Sequence, residues 1–210
     1  MIDLLVATTN QGKFAEVQAF LKCLPLRIVS LRDLANPPAV VEDGISFEAN
    51  ALKKARTLAQ YSGLLTLADD SGIEVDALGG APGIFSARYC GAEGNDGANN
   101  EKLLRELANV PDRMRTGRFV CALTLCAPAG DGLKEWTVRE SCEGRIAVAP
   151  KGGNGFGYDP LFFYLPFGKT FGEIDRETKA TVSHRGKALK KLAAMLPTWV
   201  DLAVDLPPQP

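Results

Sequence analysis

The segment from Ile2 to Leu31 constrains the fold more than any other. Ile2-Asp3-Leu4-Leu5-Val6-Ala7 reads as a buried strand, and Leu26 to Leu31 reads as a second. Between them, Lys13 to Cys23 carries Phe14, Val17, Phe20 and Leu21 at helical spacing. A strand, helix, strand opening belongs to the α/β class, in which helices cover a sheet. The later segments keep to that pattern. Ala35 to Gly44, with Pro37-Pro38, is a loop, and Ser46 caps a helix to about Tyr61 whose apolar face is Leu52, Ala55, Leu58 and Ala59. Asn50 and Lys54 stand one turn apart on another face, where both can address one ligand.

The apolar run Leu64 to Leu67 then ends in Ala68-Asp69-Asp70-Ser71-Gly72, expected to be a turn. Ile73 to Leu78, a Gly79 to Gly83 turn and a helix from Asn99 to Leu107 follow, with Leu103, Leu104 and Leu107 inward. Arg118 to Leu125 and Glu135 to Cys142 read as an antiparallel pair around a Pro128, Gly130, Gly132 turn, with Arg145 to Val148 continuing the second. A Gly152 to Gly157 loop leads to Tyr158-Asp159-Pro160 and an aromatic strand, Leu161 to Tyr164. Ser183 starts the last helix, with Ala188, Leu189, Leu192 and Leu196 inward, before Pro197 and a proline-rich tail.

Composition excludes several function classes. With 210 residues, 46% of them hydrophobic, the chain can bury a full core, and one domain is expected. The 24 basic and 25 acidic residues give net charge -1, so no global field favours nucleic acid or a membrane. The start of the chain has no basic leader and its apolar run is short, which implies a cytosolic protein. Five cysteines without a Cys-x-x-Cys pair and a lone histidine, His184, do not suit zinc. Cys121 and Cys126, in an apolar strand, read as small buried thiols.

The chemistry concentrates in four places. Asp69 and Asp70, beside the Ser71 hydroxyl, can hold a hard divalent cation and activate water, which points to hydrolysis. A polar turn with solvated aspartates fits that segment equally well when it is taken alone. Thr8-Thr9-Asn10-Gln11-Gly12-Lys13, at the first strand-to-helix junction, offers helix amides and a lysine to phosphate oxygens, although taken alone it reads more simply as an ordinary solvated turn. It is not the common P-loop, because Ala7 holds the leading glycine position and Phe14 replaces the metal-binding hydroxyl. Gly153-Asn154-Gly155-Phe156-Gly157-Tyr158-Asp159 sets aromatic rings between glycines, where a nucleobase could cover them; the competing reading folds those rings into the core, most strongly for Tyr158. Ser183-His184-Arg185, with Lys179 before it, offers donors that suit a purine 6-oxo oxygen and reject an adenine amino group; the competing reading is a solvated basic helix start.

In this order the elements resemble the inosine triphosphate pyrophosphatase family. The resemblance rests on Thr8 to Lys13, Glu42, Asn50 to Ala55, Ala68 to Gly72, Gly80 to Gly83, Ser86 to Tyr89, Phe156 to Pro160 and Ser183 to Gly186. It spans residues 1–196 as one catalytic domain and leaves the tail, 197–210, outside. It implies an α/β fold with an elongated central mixed β-sheet, flanking helices and two lobes around a nucleotide-binding cleft, in a homodimer. It implies attack by water on the α-phosphorus of ITP, dITP or XTP with Mg²⁺ as cofactor, giving the monophosphate and pyrophosphate. Carried onto this sequence, Asp70 is the general base and a metal ligand, Glu42 a second ligand, and Asp69 supports them. Thr8, Thr9, Asn10, Gln11, Gly12, Lys13, Lys54 and Ser71 hold the triphosphate. Phe156, in the loop with Gly157, stacks on the base, while Tyr158, Asp159, Lys179, His184 and Arg185 line its pocket. One departure is visible. The family usually has a glutamate directly before the asparagine of the second-helix motif, and this chain has Ala49 there with Glu48 one residue earlier, which deprives Ser46 of a capping-box partner.

Three rivals make different predictions. A Maf-like nucleotide pyrophosphatase would prefer modified or pyrimidine nucleotides, and the Phe156 to Asp159 and Ser183 to Arg185 motifs argue against it. A non-catalytic nucleotide sensor has little use for Asp69, Asp70 and Glu42 together. A generic metal-dependent phosphatase would release orthophosphate.

Overall fold

The computed structural model describes residues 2–91, 94–130 and 132–195. The inward position expected of Leu196 and the tail 197–210 lie outside them. The described strands are β1 (Ile2–Ala7), β2 (Leu26–Ser30), β3 (Leu65–Val75), β4 (Thr116–Ala129), β5 (Gly132–Ile146), β6 (Phe162–Tyr164) and β7 (Lys169–Thr170). The helices are α1 (Gln11–Leu21), α2 (Phe47–Ser62), α3 (Asp96–Glu106), α4 (Arg176–Val182) and α5 (His184–Ala193). The strands form one seven-stranded sheet in the order β2-β1-β3-β4-β5-β6-β7. It is mixed. β1 runs parallel to β2, Leu4 opposite Ile28, and to β3, Ala7 opposite Ala68, whereas β5 with β6 and β6 with β7 are antiparallel. The opening thus has the parallel pairing that a helical crossover permits.

The chain packs as two compact units. The first comprises the described residues of Met1–Asp70, Ala122–Arg139 and the stretch from Ala188; the second comprises those of Ser71–Cys121 and Glu140–Lys187. In the first unit Leu5 and Ala7 pack with Ala55, Leu58, Ala59, Ala68 and Cys126. Helix α2 starts where Ser46 Oγ accepts from Ala49 N (3.2 Å) and ends at Gly63, whose φ of 68° is the left-handed conformation glycine adopts without strain. The cap therefore forms without a box glutamate, and Glu48 instead meets Arg139 at 3.1 Å. Ala51 rather than Leu52 takes the buried position on that helix. In the second unit Ile73, Val75, Leu103, Leu107, Phe119, Tyr158, Phe162 and Phe171 share a core. Burial pushes the Cys126 thiol up to about 12 and Cys142 up to about 11, which leaves both as inert space-fillers.

One expectation fails. Ala68 to Gly72 is not a turn, because β3 runs straight through it to Val75. The strand lies between β1 and β4 and is buried along nearly its whole length, so sheet pairing overrides the turn preference of Asp-Asp-Ser-Gly. Gly72 serves packing instead of turning. A Cβ there would stand 2.3 Å from Ser86 Oγ and 2.7 Å from Gly83 O, and Ser86 Oγ accepts from Ile73 N at 2.9 Å. Gly72→Ala is expected to destabilise the protein by about 1–3 kcal/mol through overpacking. Urea unfolding would read this as a lower midpoint at unchanged slope, and an unchanged midpoint would refute it.

Helix α4 was not anticipated as an element. It is seven residues long, capped by Asp175, whose carboxylate accepts from Thr178 N at 2.7 Å. Ser183 closes it and begins α5, accepting from Gly186 N at 3.1 Å. A Cβ on Gly186 would lie 1.8 Å from Ala180 O, so the glycine lets α4 and α5 approach at backbone contact.

Candidate active site

In the first unit, β1 ends at Ala7 and the chain turns at once into α1. Asn10 caps the helix by accepting from Lys13 N (3.0 Å), and Thr8 Oγ1 accepts from Asn10 N (3.2 Å). Thr9, Asn10 and Gln11 remain exposed at this junction. Lys13 Nζ reaches Asp69 Oδ1 at 2.7 Å. From α2, Lys54 Nζ meets Glu42 Oε1 at 2.7 Å and donates to the Asp69 carbonyl at 3.1 Å. Two carboxylates, Asp69 and Glu42, and two ammonium groups from distant parts of the sequence are thus brought together.

Asp70 differs from its neighbours. It is 6% exposed, and Oδ2 is buried with no hydrogen-bond partner. Burial pushes its carboxyl from 3.8 up to about 6; Lys13 and Lys54 pull it back, Glu42 raises it further, and Asn50 lowers it slightly. Asn50 spends its carbonyl on Gly44 N (2.7 Å), and its amide nitrogen is buried without a partner of good geometry. A buried carboxylate oxygen with nothing bonded to it is costly unless a ligand completes it. The donors around it are hard oxygens, which suit a divalent cation of the magnesium type. Among the described residues, no group of three His, Cys, Asp or Glu side chains is gathered closely enough to hold an ion unaided. Lys13 and Lys54 instead lie against Asp69 and Glu42, where they balance their charge.

The second unit holds a different set. Arg185, 2% exposed, donates to Ser71 Oγ at 2.7 Å. Lys179 Nζ and Asp159 Oδ2 form a buried pair at 2.6 Å, and the same oxygen accepts from Phe156 N at 2.9 Å. Lys179 Nζ sits 4.8 Å from the centre of the half-buried Phe156 ring, with the Arg185 guanidinium 5.7 Å from it. Gly155 has φ 76°, and a Cβ there would lie 2.0 Å from Asp159 Oδ2, so glycine is required for this loop to close on its carboxylate. Tyr158 and His184 are packed more deeply. The Tyr158 hydroxyl donates to Ser86 O at 2.8 Å, and burial holds its phenol above the usual range. The His184 ring stacks on Phe119 with centroids 4.7 Å apart. The core reading considered for Tyr158 therefore holds, while Phe156 carries the accessible ring.

Sequence reasoning missed Asp96 and Asn100 on α3. Asp96 Oδ2 accepts from Gly157 N at 2.6 Å, and Asn100 Nδ2 donates to Gly157 O at 3.0 Å. Their spacing of four residues was the available signal, since it sets both on one helix face.

Comparison with known proteins now adds to this geometry. Residues 4–195 match the model of the Ham1 family. A dITP/XTP pyrophosphatase of Syntrophobacter fumaroxidans is 54% identical over 189 residues, covering 90% of this chain and 79% of that protein. A dITP/XTP pyrophosphatase of Exiguobacterium sibiricum is 49% identical over 95% of this chain and 99% of its own. Among solved structures, a HAM1 protein from Coxiella burnetii shares the fold with TM-score 0.84 and 37% identity, over 94% of this chain and 100% of that one.

Proposed function

The chain belongs to the Ham1 family, and from that premise we propose that it hydrolyses non-standard purine nucleoside triphosphates, ITP, dITP and XTP, to the monophosphate and pyrophosphate. It is a nucleoside triphosphate pyrophosphatase. The observation that carries the mechanism is the buried, incompletely bonded carboxylate of Asp70 beside Lys13 and Lys54. Asp70, whose carboxyl burial pushes up to about 6 in the metal-free chain, is the group assigned to take the proton of the attacking water. The water oxygen bonds to the α-phosphorus as the bond from that phosphorus to the bridging oxygen breaks, and the electron pair leaves with pyrophosphate. Lys13, Lys54, Ser71 and the Thr8 to Gly12 junction bind the phosphoryl oxygens and offset the charge that builds on them. Asp70, with Glu42 and Asp69 beside it, would hold Mg²⁺ together with substrate oxygens and water, and the ion would supply further charge neutralisation and a stronger nucleophile.

Base selection is assigned to a separate set of residues. Phe156 offers its ring for stacking, and Lys179 and Arg185 supply donors that match a 6-oxo purine and leave adenine unpaired. Asp159, Tyr158 and His184 hold the surrounding wall. The working form expected from the family resemblance is a cytoplasmic homodimer acting on free nucleotides.

Product analysis with Mg²⁺ tests the reading. Pyrophosphate from ITP and XTP, with little from GTP, ATP or dTTP, is the expected result. Orthophosphate instead would indicate a phosphatase, pyrophosphate chiefly from dTTP a Maf-like enzyme, and ITP binding without products a sensor. Phe156→Ala is expected to raise KM for ITP about tenfold or more while kcat changes little, as loss of base stacking requires.

A further inference from the structure

The loop that carries Phe156 is held at its backbone by one face of α3. Asp96 opens that helix and Asn100 follows one turn later, so the two side chains emerge on the same side. The first accepts from Gly157 N and the second donates to Gly157 O. On the preceding residue, Phe156 N donates to Asp159 Oδ2 and Phe156 O accepts from Asp159 N at 3.2 Å. Each main-chain polar group of Phe156 and Gly157 is therefore matched, two by Asp159 and two by α3. Gly157 has φ 60°, the left-handed conformation that glycine adopts without strain. The neighbouring Asn99 turns the other way and ties α3 to the segment before it, accepting from Cys90 N at 2.8 Å and donating to Ala87 O at 3.3 Å. Helix α3 is thus itself anchored, and what it fixes is the peptide that links the stacking ring to the rest of the loop.

We propose that Asp96 and Asn100 are positioning residues for substrate binding: by clamping both polar groups of Gly157 they set the pose of the Phe156 ring and thereby the affinity for the purine. The proposal rests on the reading that Phe156 stacks on the base. Neither residue touches the reacting atoms, so their removal acts on KM and spares kcat. A fixed ring avoids the ordering cost that a mobile one would incur on every binding event.

Steady-state kinetics of the full chain on ITP with Mg²⁺ tests this. Asp96→Ala and Asn100→Ala are each expected to raise KM about three- to tenfold, the range for one lost hydrogen bond, with kcat within about twofold of wild type. Asp96→Asn keeps an acceptor at the same place and is expected to restore most of the affinity; if it behaves like Asp96→Ala, the acidic charge at the helix start is what matters and the proposal falls. In a Phe156→Ala background, Asn100→Ala is expected to add nothing, because the ring through which it acts is gone. An equal, undiminished effect there would reveal general loosening and overturn the proposal. If Asn100→Ala fails to fold, the similarly sized Asn100→Leu and the Asp96 pair carry the test. Unchanged KM in these variants, with Phe156→Ala impaired, refutes the clamp alone; unchanged KM in Phe156→Ala refutes the stacking reading on which it stands.

Discussion

Asp70→Asn is expected to lower kcat for ITP by about 10²- to 10⁴-fold, the range for losing a positioned general base, while nucleotide binding persists. The same substitution is expected to stabilise the metal-free protein. Folding raises the Asp70 pKa from 3.8 to about 6, chiefly because burial penalises the charged carboxylate. Between those values the native state binds a proton that the unfolded chain has released. The stability linked to this group is therefore greatest below 3.8 and is lost as pH rises through about 6. Above that, the full difference corresponds to a penalty of about 3 kcal/mol as an upper bound, and a neutral asparagine does not incur it. Chemical denaturation in EDTA should show Asn above Asp in midpoint at pH 7.5 and the gap closing near pH 4. A variant with wild-type turnover would sink the catalytic assignment, and a gap independent of pH would sink the burial account.

The parts of the fold that were legible in the sequence are those whose signals are local. β1, α1 and β2 follow from apolar spacing within short windows, and α2 from the same spacing plus Ser46 as a cap. These signals are local, and the structure keeps them to within a turn. The run through Asp69 and Asp70 was misread because Asp, Ser and Gly favour turns locally, whereas sheet neighbours and the close approach of Ser86 to Gly72 decide the outcome. Helix α4 is too short to show periodicity. At the site, the residue types were visible, but their pairings were not. That Lys13 meets Asp69 and Lys54 meets Glu42 is settled only by the fold. Asp96 and Asn100 left the weakest trace, since their partner is the backbone of a glycine, and a main-chain partner puts no complementary residue in the sequence.

The buried pair in the second unit is where a single substitution should cost most in stability. Lys179 and Asp159 are 4% and 2% exposed and lie 2.6 Å apart. Lys179→Met keeps the aliphatic length but leaves the Asp159 carboxylate buried without its counter-charge, a change expected to cost about 3–5 kcal/mol. For a domain of this size that corresponds to a fall of roughly 6–20 °C in Tm. The loss should reach the substrate as well. Asp159 Oδ2 also fixes Phe156 N, and Lys179 stands over the Phe156 ring, so a carboxylate that moves toward water carries the stacking loop with it. Adding Asp159→Asn to Lys179→Met should recover much of the stability, because the amide can still accept from Phe156 N and no unpaired charge remains. It should not recover ITP affinity, since the donor proposed for the 6-oxo oxygen is still missing. If the double variant is as unstable as the single one, the pair stabilises by packing rather than by charge compensation. If it regains wild-type KM, Lys179 serves the loop and not the base.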